Sequence, residues 1–240
     1  MIKLNILAFA AHPDDIELAC AGTIAKHTSM GENVGVIDLT EGEMGTRGTP
    51  QQRLKEAAKS AEILGLKLRE NLGFKDAFFK NDLKHQTEIV KKIRQYQPDI
   101  VLANAISDRH PDHGRASELI SESVFLAGLQ KFETSDENGV PQKAYRPSKV
   151  YHYIQSLPIT PDFVVDVSSH WEKKMNAIKA FDSQFYKADS QEPETYISNP
   201  RFLKMIEARA MDFGQIIGVD YAEAFTVERY LGVKDLNGLV

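Results

Sequence analysis

Cysteine is almost absent from this sequence: Cys20 stands alone, so the chain cannot form an intramolecular disulfide. Long apolar runs are missing too, since no stretch approaches the roughly 18 apolar residues that a membrane span needs. The chain opens with the strand-like segment MIKLNILAFA and not with a basic region, an apolar run and a cleavage site. Basic residues are not in excess, because 29 Lys and Arg against 34 Asp and Glu leave a formal net charge of −5. Together these absences predict a cytoplasmic protein with no membrane or nucleic-acid partner.

Several short motifs are also missing. The sequence contains no Gly-x-Gly-x-x-Gly and no Gly-x-x-x-x-Gly-Lys-Ser/Thr, so neither a dinucleotide site nor a P-loop is supported. It has no Gly-x-Ser-x-Gly elbow for a hydrolase serine. Without a Cys-x-x-Cys pair, any metal site must be built from histidine and carboxylate.

Short apolar runs alternate with longer segments of helical periodicity, which indicates an α/β fold. Strands are predicted at 6–11, 34–39, 68–74, 99–105, 150–154 and 163–167. Helices are predicted at 17–29, 50–64, 83–96, 113–131 and 168–185, with a further helix of about ten residues from 207. Residues 132–147 contain Asn-Gly and two prolines and are predicted to form an exposed loop. We expect one domain over residues 1–240, with a three-layer αβα fold and a Rossmann-like, mostly parallel sheet covered by helices on both faces.

Two polar motifs follow predicted strands. The segment AHPDD at 11–15 follows the first strand, and SDRHPDH at 107–113 follows the fourth. Open parallel sheets place their ligand crevice at the carboxyl ends of the strands, so the two motifs are expected to converge.

The residue types in these motifs suit a catalytic metal site. His12, Asp15 and His113 would supply two imidazoles and one carboxylate and would leave a coordination position for water. Asp14 is then free to accept a proton from that water, because the metal lowers its pKa. His110 and Asp112 suggest a further pair, in which the carboxylate orients the imidazole and keeps it protonated.

A structural explanation competes with this one. A single His-Pro-Asp segment is most often a helix cap, because Asp accepts backbone N–H bonds and proline begins helices. Two such segments at neighbouring strand ends, each followed by a potential ligand, favour the metal interpretation. Elsewhere, Cys20 is interpreted as core filler, and His152 as either a strand residue or a pocket-lining group.

Three arginines lie in or beside the polar loops. Arg53 and Arg109 are candidates for binding a substrate carboxylate, because a guanidinium offers it two parallel hydrogen bonds. Arg47 is the weakest of the three candidates, since an arginine beside carboxylates also serves as a structural counter-charge.

The paired motifs AHPDD and RHPDH, together with EGEMGTRGTPQQR and the late YAEAF, resemble the LmbE-like or PIG-L family of metal-dependent N-acetylglucosamine deacetylases. Within that family the chain resembles the bacillithiol-biosynthesis branch, which removes acetyl from N-acetylglucosaminyl-malate. The resemblance implies His12, Asp15 and His113 as zinc ligands and Asp14 as general base. It also implies that His110 stabilises the tetrahedral oxyanion or protonates the leaving amine, and that the protein is a homo-oligomer, with a hexamer as one option.

The sequence leaves alternatives to this function. The substrate is another N-acetylglucosamine compound in one of them, and Fe²⁺ replaces Zn²⁺ in another. A non-haem iron oxygenase also uses two histidines and one carboxylate, although that site usually sits on an all-β barrel. A non-catalytic sugar-binding domain would have no need for Asp14 beside a metal ligand.

Overall fold

The computed structural model describes residues 2–186, 191–233 and 235. Its strands are β1 (Ile6–Ala10), β2 (Val34–Thr40), β3 (Leu68–Phe74), β4 (Ile100–Ala103), β5 (Lys149–Tyr153), β6 (Phe163–Asp166) and β7 (Ala222–Val227). Its helices are α1 (Asp15–Ala19), α2 (Ala21–Ser29), α3 (Pro50–Leu64), α4 (Leu83–Tyr96), α5 (Pro111–Ala127), α6 (Trp171–Lys179) and α7 (Phe202–Ile217). Among the described residues, none of these helices combines the length and apolarity that crossing a membrane requires.

The strands form one sheet in the order β3-β2-β1-β4-β5-β7-β6. The five strands from β3 to β5 in this order pair in parallel, whereas β7 is antiparallel to both β5 and β6. The mostly parallel α/β fold expected from the sequence is therefore confirmed. The chain order reverses between β1 and β4, which is the switch point where such sheets bind ligands.

Helices cover both faces of the sheet because alternate strand residues point to opposite sides. In β1, Leu7 and Phe9 pack in a core with residues of α4 and α5, and Ile6 and Ala8 pack in a second core with residues of α1, α2, α3 and α6. Every residue of β1 is buried, as expected for a central strand covered on both faces.

Several predicted helix bounds change in the structure. The predicted helix at 113–131 begins at Pro111 instead, since His110 occupies the N-cap and proline suits the first turn. The predicted helix at 168–185 is a short 3-10 turn over Ser168–His170 followed by α6. Residues 132–147 contain no named helix or strand, in agreement with the loop prediction.

The predicted helix at 17–29 is divided in two at Cys20, which has φ of −131°. Tertiary contacts satisfy the backbone groups freed at this break. The Lys174 ammonium donates to the Ala19 carbonyl oxygen at 3.1 Å. The Glu223 carboxylate accepts from the Gly22 and Thr23 N–H groups at 2.8 and 2.6 Å. Both partners lie far from this segment in the sequence, so local periodicity could not reveal the break.

A network of buried charged residues anchors α1 through Glu17. The guanidinium of Arg69 in β3 bonds to Glu17 at 2.6 Å and to Asp38 at 2.8 Å, and the Ser60 hydroxyl donates to Glu17 at 2.5 Å. The two carboxylates are almost fully buried. One cation therefore compensates two buried anions.

Removing this cation should destabilise the fold strongly. We expect Arg69→Met to lower the free energy of unfolding by about 3–5 kcal/mol, because it leaves the carboxylates of Glu17 and Asp38 buried without their counter-ion. Urea unfolding at neutral pH measures the loss. The matched control is Lys91→Met, which breaks the partly exposed Lys91–Glu88 pair of α4 and should cost no more than about 1 kcal/mol. Equal losses in the two variants would contradict this account of the network.

Candidate active site

A cavity of about 900 Å³ opens at the carboxyl ends of β1, β4 and β5. On one side it is lined by residues of both polar motifs, His12, Asp14, Asp15, His110 and His113. On the other side it is lined by the segment 154–161 and by α7. The structure therefore brings together the two motifs that the sequence separates by almost one hundred residues.

The chain turns sharply at Asp14 between β1 and α1. Asp14 has φ of 124°, a region that residues other than glycine rarely adopt, and it occupies the N-cap of α1. Strained backbone of this kind costs about 1–3 kcal/mol and persists where the surroundings over-determine it, often at functional sites. Because of this turn, Asp14 and Asp15 are both buried and both line the cavity.

Asp15 lies between two of the histidines. Its Oδ1 is 3.1 Å from His113 Nε2, and its Oδ2 is 3.6 Å from His12 Nδ1. Two carboxamides hold the same carboxylate: Gln155 donates to Oδ1 at 2.8 Å and Asn104 to Oδ2 at 3.0 Å. Burial alone would raise the pKa of Asp15, yet His113 and His12 lower that pKa well below its ordinary value.

His12 also contacts two further carboxylates. Its Nε2 lies 3.0 Å from Asp76 Oδ1 and 3.3 Å from Asp112 Oδ2. Burial disfavours the imidazolium form of His12, but Asp112, Asp15 and Asp76 outweigh burial and raise its pKa well above the ordinary value. Asp76 was not predicted from the sequence. Its position two residues after β3, at the same edge of the sheet, is the signal that could have revealed it.

The structure changes the expected relation between His110 and Asp112. The carboxylate of Asp112 bonds to His12, to the Ala77 N–H and to Arg115, while the Asp112 N–H donates to His110 Nδ1 at 3.3 Å. His110 Nδ1 is thus an acceptor, which leaves the ring proton on Nε2. Burial and the neighbouring histidines lower the pKa of His110. Asp112 acts in the opposite direction but does not outweigh them, so the protonation of His110 by Asp112 stays a prediction that this geometry does not favour.

His113 is oriented by a second carboxylate. Its Nδ1 lies 2.5 Å from Asp108 Oδ2, and Asp108 in turn accepts from the N–H groups of Ser156 and Leu157. Burial would lower the pKa of His113, but Asp15 and Asp108 raise it to about 9. A carboxylate on the second ring nitrogen is the usual companion of a metal-binding histidine.

Arg53 lies beside Asp14. Its Nη2 is 3.5 Å from Asp14 Oδ2 and donates to Gln184 at 2.6 Å, and its Nη1 donates to the Gly42 carbonyl oxygen at 3.2 Å. Burial raises the pKa of Asp14 to about 7, against the opposing effect of Arg53. Arg53 is thus already engaged by groups of the protein.

Four further residues were singled out in the sequence, and the structure gives each of them different neighbours. Arg109 is exposed and stacks over the Tyr196 ring, with its guanidinium carbon 4.1 Å from the ring centroid. Arg47 Nε bonds to Glu192 at 3.0 Å. His152 is buried in β5, where Ser117, the Asn104 carbonyl oxygen and Glu228 surround its ring, so it is a satisfied strand residue. Cys20 is buried in the core, as predicted.

The donor atoms fit a divalent transition-metal ion. Ligand atoms of one tetrahedral ion held at about 2.1 Å lie roughly 3.4 Å apart, close to the separations of Asp15 from His12 and His113. Among the described residues, two groups of three donor atoms lie within 4.8 Å of one another, and neither includes Asp15: His12 with His110 and His113, and His12 with Asp76 and Asp112. Imidazole with carboxylate suits zinc and iron.

Comparison with known proteins agrees with this geometry. The model of the GlcNAc-PI de-N-acetylase family, PIG-L, matches residues 7–124. Diacetylchitobiose deacetylase of Thermococcus kodakarensis is 32% identical over 229 residues, which cover 91% of this chain and 81% of that protein.

Two solved structures share the whole architecture. A conserved protein of Thermus thermophilus, 35% identical, superposes with a TM-score of 0.84 over 96% of this chain and 98% of the other. The N,N'-diacetylchitobiose deacetylase of Pyrococcus horikoshii, 29% identical, superposes with a TM-score of 0.80 over 92% of this chain and 82% of the other. With both polar motifs converging in one cavity, the chain belongs to the PIG-L, or LmbE-like, deacetylase family.

Proposed function

We propose that this protein is a zinc-dependent deacetylase that removes the acetyl group from an N-acetylglucosamine conjugate, with N-acetylglucosaminyl-malate as substrate. The observation that carries the proposal is the meeting of His12, Asp15 and His113 with Asp14 in one cavity. The kinship with diacetylchitobiose deacetylases supports an N-acetylated amino sugar as substrate. The cytoplasmic location and the homo-oligomeric state stay predictions.

His12, Asp15 and His113 would hold the metal, with Fe²⁺ as the alternative to Zn²⁺. When bound, the ion supplies a Lewis acid that polarises an amide carbonyl and makes water acidic near neutral pH. Gln155 and Asn104 orient Asp15, and Asp108 orients His113, so the ligands are positioned by hydrogen bonds before metal arrives.

Asp14 and His110 carry the proton chemistry in this proposal. Asp14 lines the cavity next to Asp15, and its carboxylate contacts Arg53. Because the proposal does not use Asp14 as a metal ligand, this carboxylate is available to take a proton from attacking water. His110 presents an Nε2–H group, because its Nδ1 accepts from the Asp112 backbone. That N–H can donate a hydrogen bond to the oxyanion that develops on the acetamide carbonyl. The proton that Asp14 takes from water can then pass to the leaving amine, which restores the Asp14 carboxylate. Asp112 acts by holding His12.

Malate is an anionic aglycone, so the cavity must offer a cation that can bind its carboxylates. Arg109 lines the cavity and its guanidinium stacks on Tyr196, which leaves its edge N–H groups for a carboxylate. Arg53 is bound to Asp14, Gln184 and Gly42 and is better placed to support the base than to bind an aglycone.

The decisive experiment measures free-amine and acetate release from a panel of N-acetylglucosamine conjugates, with metal content determined in the same sample. Release without oxygen distinguishes a hydrolase from a non-haem iron oxygenase. If the metal-loaded protein binds the sugars but releases no acetate, the result would indicate a non-catalytic sugar-binding protein.

The first prediction concerns the metal. We expect His113→Ala to abolish tight zinc binding and turnover, because it removes one of the three proposed metal ligands. Zinc content after dialysis and acetate release measure the two effects. The control, His27→Ala, removes a histidine that pairs with Glu32 away from the cavity and should leave both unchanged. Full zinc occupancy in His113→Ala would remove His113 from the ligand set.

The second prediction concerns the base. Asp14→Asn should keep its metal but lose roughly 10²- to 10⁴-fold in kcat, because an amide cannot accept the proton of the attacking water. Metal analysis of the assayed sample serves as the control. Near-normal turnover in metal-loaded protein would assign the base to another residue.

The third prediction separates two arginines. Arg109→Ala should lower kcat/KM for the malate conjugate roughly ten- to 150-fold more than for methyl N-acetylglucosaminide, since only the former offers it a carboxylate. Arg53→Ala should lower both values alike, because it removes a neighbour of Asp14. A loss specific to the malate conjugate in Arg53→Ala would reverse these two roles.

A further inference from the structure

Arg209 is a cation in the cavity wall that the sequence motifs do not include. It lies on α7 and lines the cavity together with His12, Asp14 and Asp15. Its Nη2 donates to the Leu18 carbonyl oxygen at 2.8 Å. Leu18 lies three residues after Asp15 in α1, a rise of roughly 5 Å along the helix. The guanidinium is therefore anchored about one helical turn from the proposed metal ligand.

Within the described residues Arg209 has no close ion pair, although four carboxylates line the same cavity: Asp14, Asp15, Asp76 and Asp212. In the described part of the chain, no carboxylate lies within ion-pair distance of its guanidinium. The carboxylate of Glu223 attracts it from a longer distance, but Glu223 is bonded to Lys174 at 2.5 Å and to two backbone N–H groups. Asp108, a second distant anion, is held by His113. Lys174 and Arg209 thus both face Glu223, and the close ion pair of that carboxylate is with Lys174.

The surroundings of Arg209 strengthen the effect of that charge. Apolar side chains line this part of the cavity, among them Ile154, Ile159, Ile206 and Phe213. Burial lowers the pKa of Arg209 to about 10, although Glu223 and Asp108 act in the opposite direction. An unmatched charge in apolar surroundings is unfavourable by itself and attracts a counter-ion more strongly than an exposed charge does. Arg109, by contrast, is exposed and its charge is screened by water.

We propose that Arg209 binds one carboxylate of the substrate's aglycone and, together with Arg109, produces the preference for an anionic conjugate. The inference rests on the proposed function and extends it, because it assigns recognition of the substrate's negative charge to a residue of α7 as well as to the two motif loops. The ligand class is an N-acetylglucosamine conjugate whose aglycone carries a carboxylate on a short hydrocarbon backbone. The hydrocarbon contacts the apolar walls, and the carboxylate accepts hydrogen bonds from the guanidinium.

The experiment compares N-acetylglucosaminyl-malate with its dimethyl ester, which has the same skeleton but no charge. Wild-type protein is expected to have the higher kcat/KM for the acid. In Arg209→Gln, kcat/KM for the acid should fall roughly ten- to 150-fold, mainly through KM, while the value for the ester changes little. The control is Lys204→Gln, which removes an exposed positive charge from the same helix outside the cavity and should keep the wild-type preference. If Arg209→Gln does not fold, Arg209→Met takes its place and keeps the apolar stem.

The outcomes separate the two proposals. Equal losses for acid and ester, or an undiminished preference for the acid, overturn the role of Arg209 while deacetylation stands. A wild-type protein that hydrolyses both without preference overturns it as well. Failure of the wild-type protein to release acetate from either compound overturns the proposed function, and the role of Arg209 falls with it.

Discussion

The site depends on the contacts of one buried carboxylate, that of Asp15. Its two oxygens have four polar neighbours: the His12 N–H, the Asn104 amide, the Gln155 amide and the His113 imidazole. These neighbours come from the loop after β1, the ends of β4 and β5, and the first turn of α5. These four neighbours hold both oxygens of the carboxylate in place. One buried anion therefore links the loop after β1 to the chain near residues 104, 113 and 155.

The helix that carries Asp15 is too short to be stable alone. Five residues are far below the length at which an isolated helix forms in water, so α1 must be held by its surroundings. Arg69 bonds to Glu17 on one side of this helix, and Lys174 donates to Ala19 at its end. Buried ion pairs contribute little net stability when desolvation is counted, but an unmatched partner is costly, which favours one specific arrangement. Here that arrangement sets the direction of Asp14 and Asp15.

The sequence predicted much of the fold because its signals are local. The bounds of α3 and α4 agree with the prediction, since each helix has a capping residue at its start and a left-handed residue at its end. The division between α1 and α2 was not predicted, because it depends on Lys174 and Glu223. The antiparallel strand β7 was not identified either, since YAEAFTVERY mixes apolar and charged residues. Glu223 is buried in this strand because Lys174 and the Gly22 and Thr23 N–H groups bind its carboxylate there.

The sequence predicted which residues meet in the cavity, because His12, Asp14, Asp15, His110 and His113 lie in two motifs directly after apolar strands, and parallel strands end at a common edge. Tertiary structure alone decided which partner each of them has. It placed Asp112 on His12 instead of beside the His110 ring, added Asp76 and Gln155, and brought Arg209 from α7 to the cavity. The reason is physical: spacing along a chain determines which residues share an edge of the sheet, whereas the pairing of buried charges depends on contacts between segments that only folding brings together.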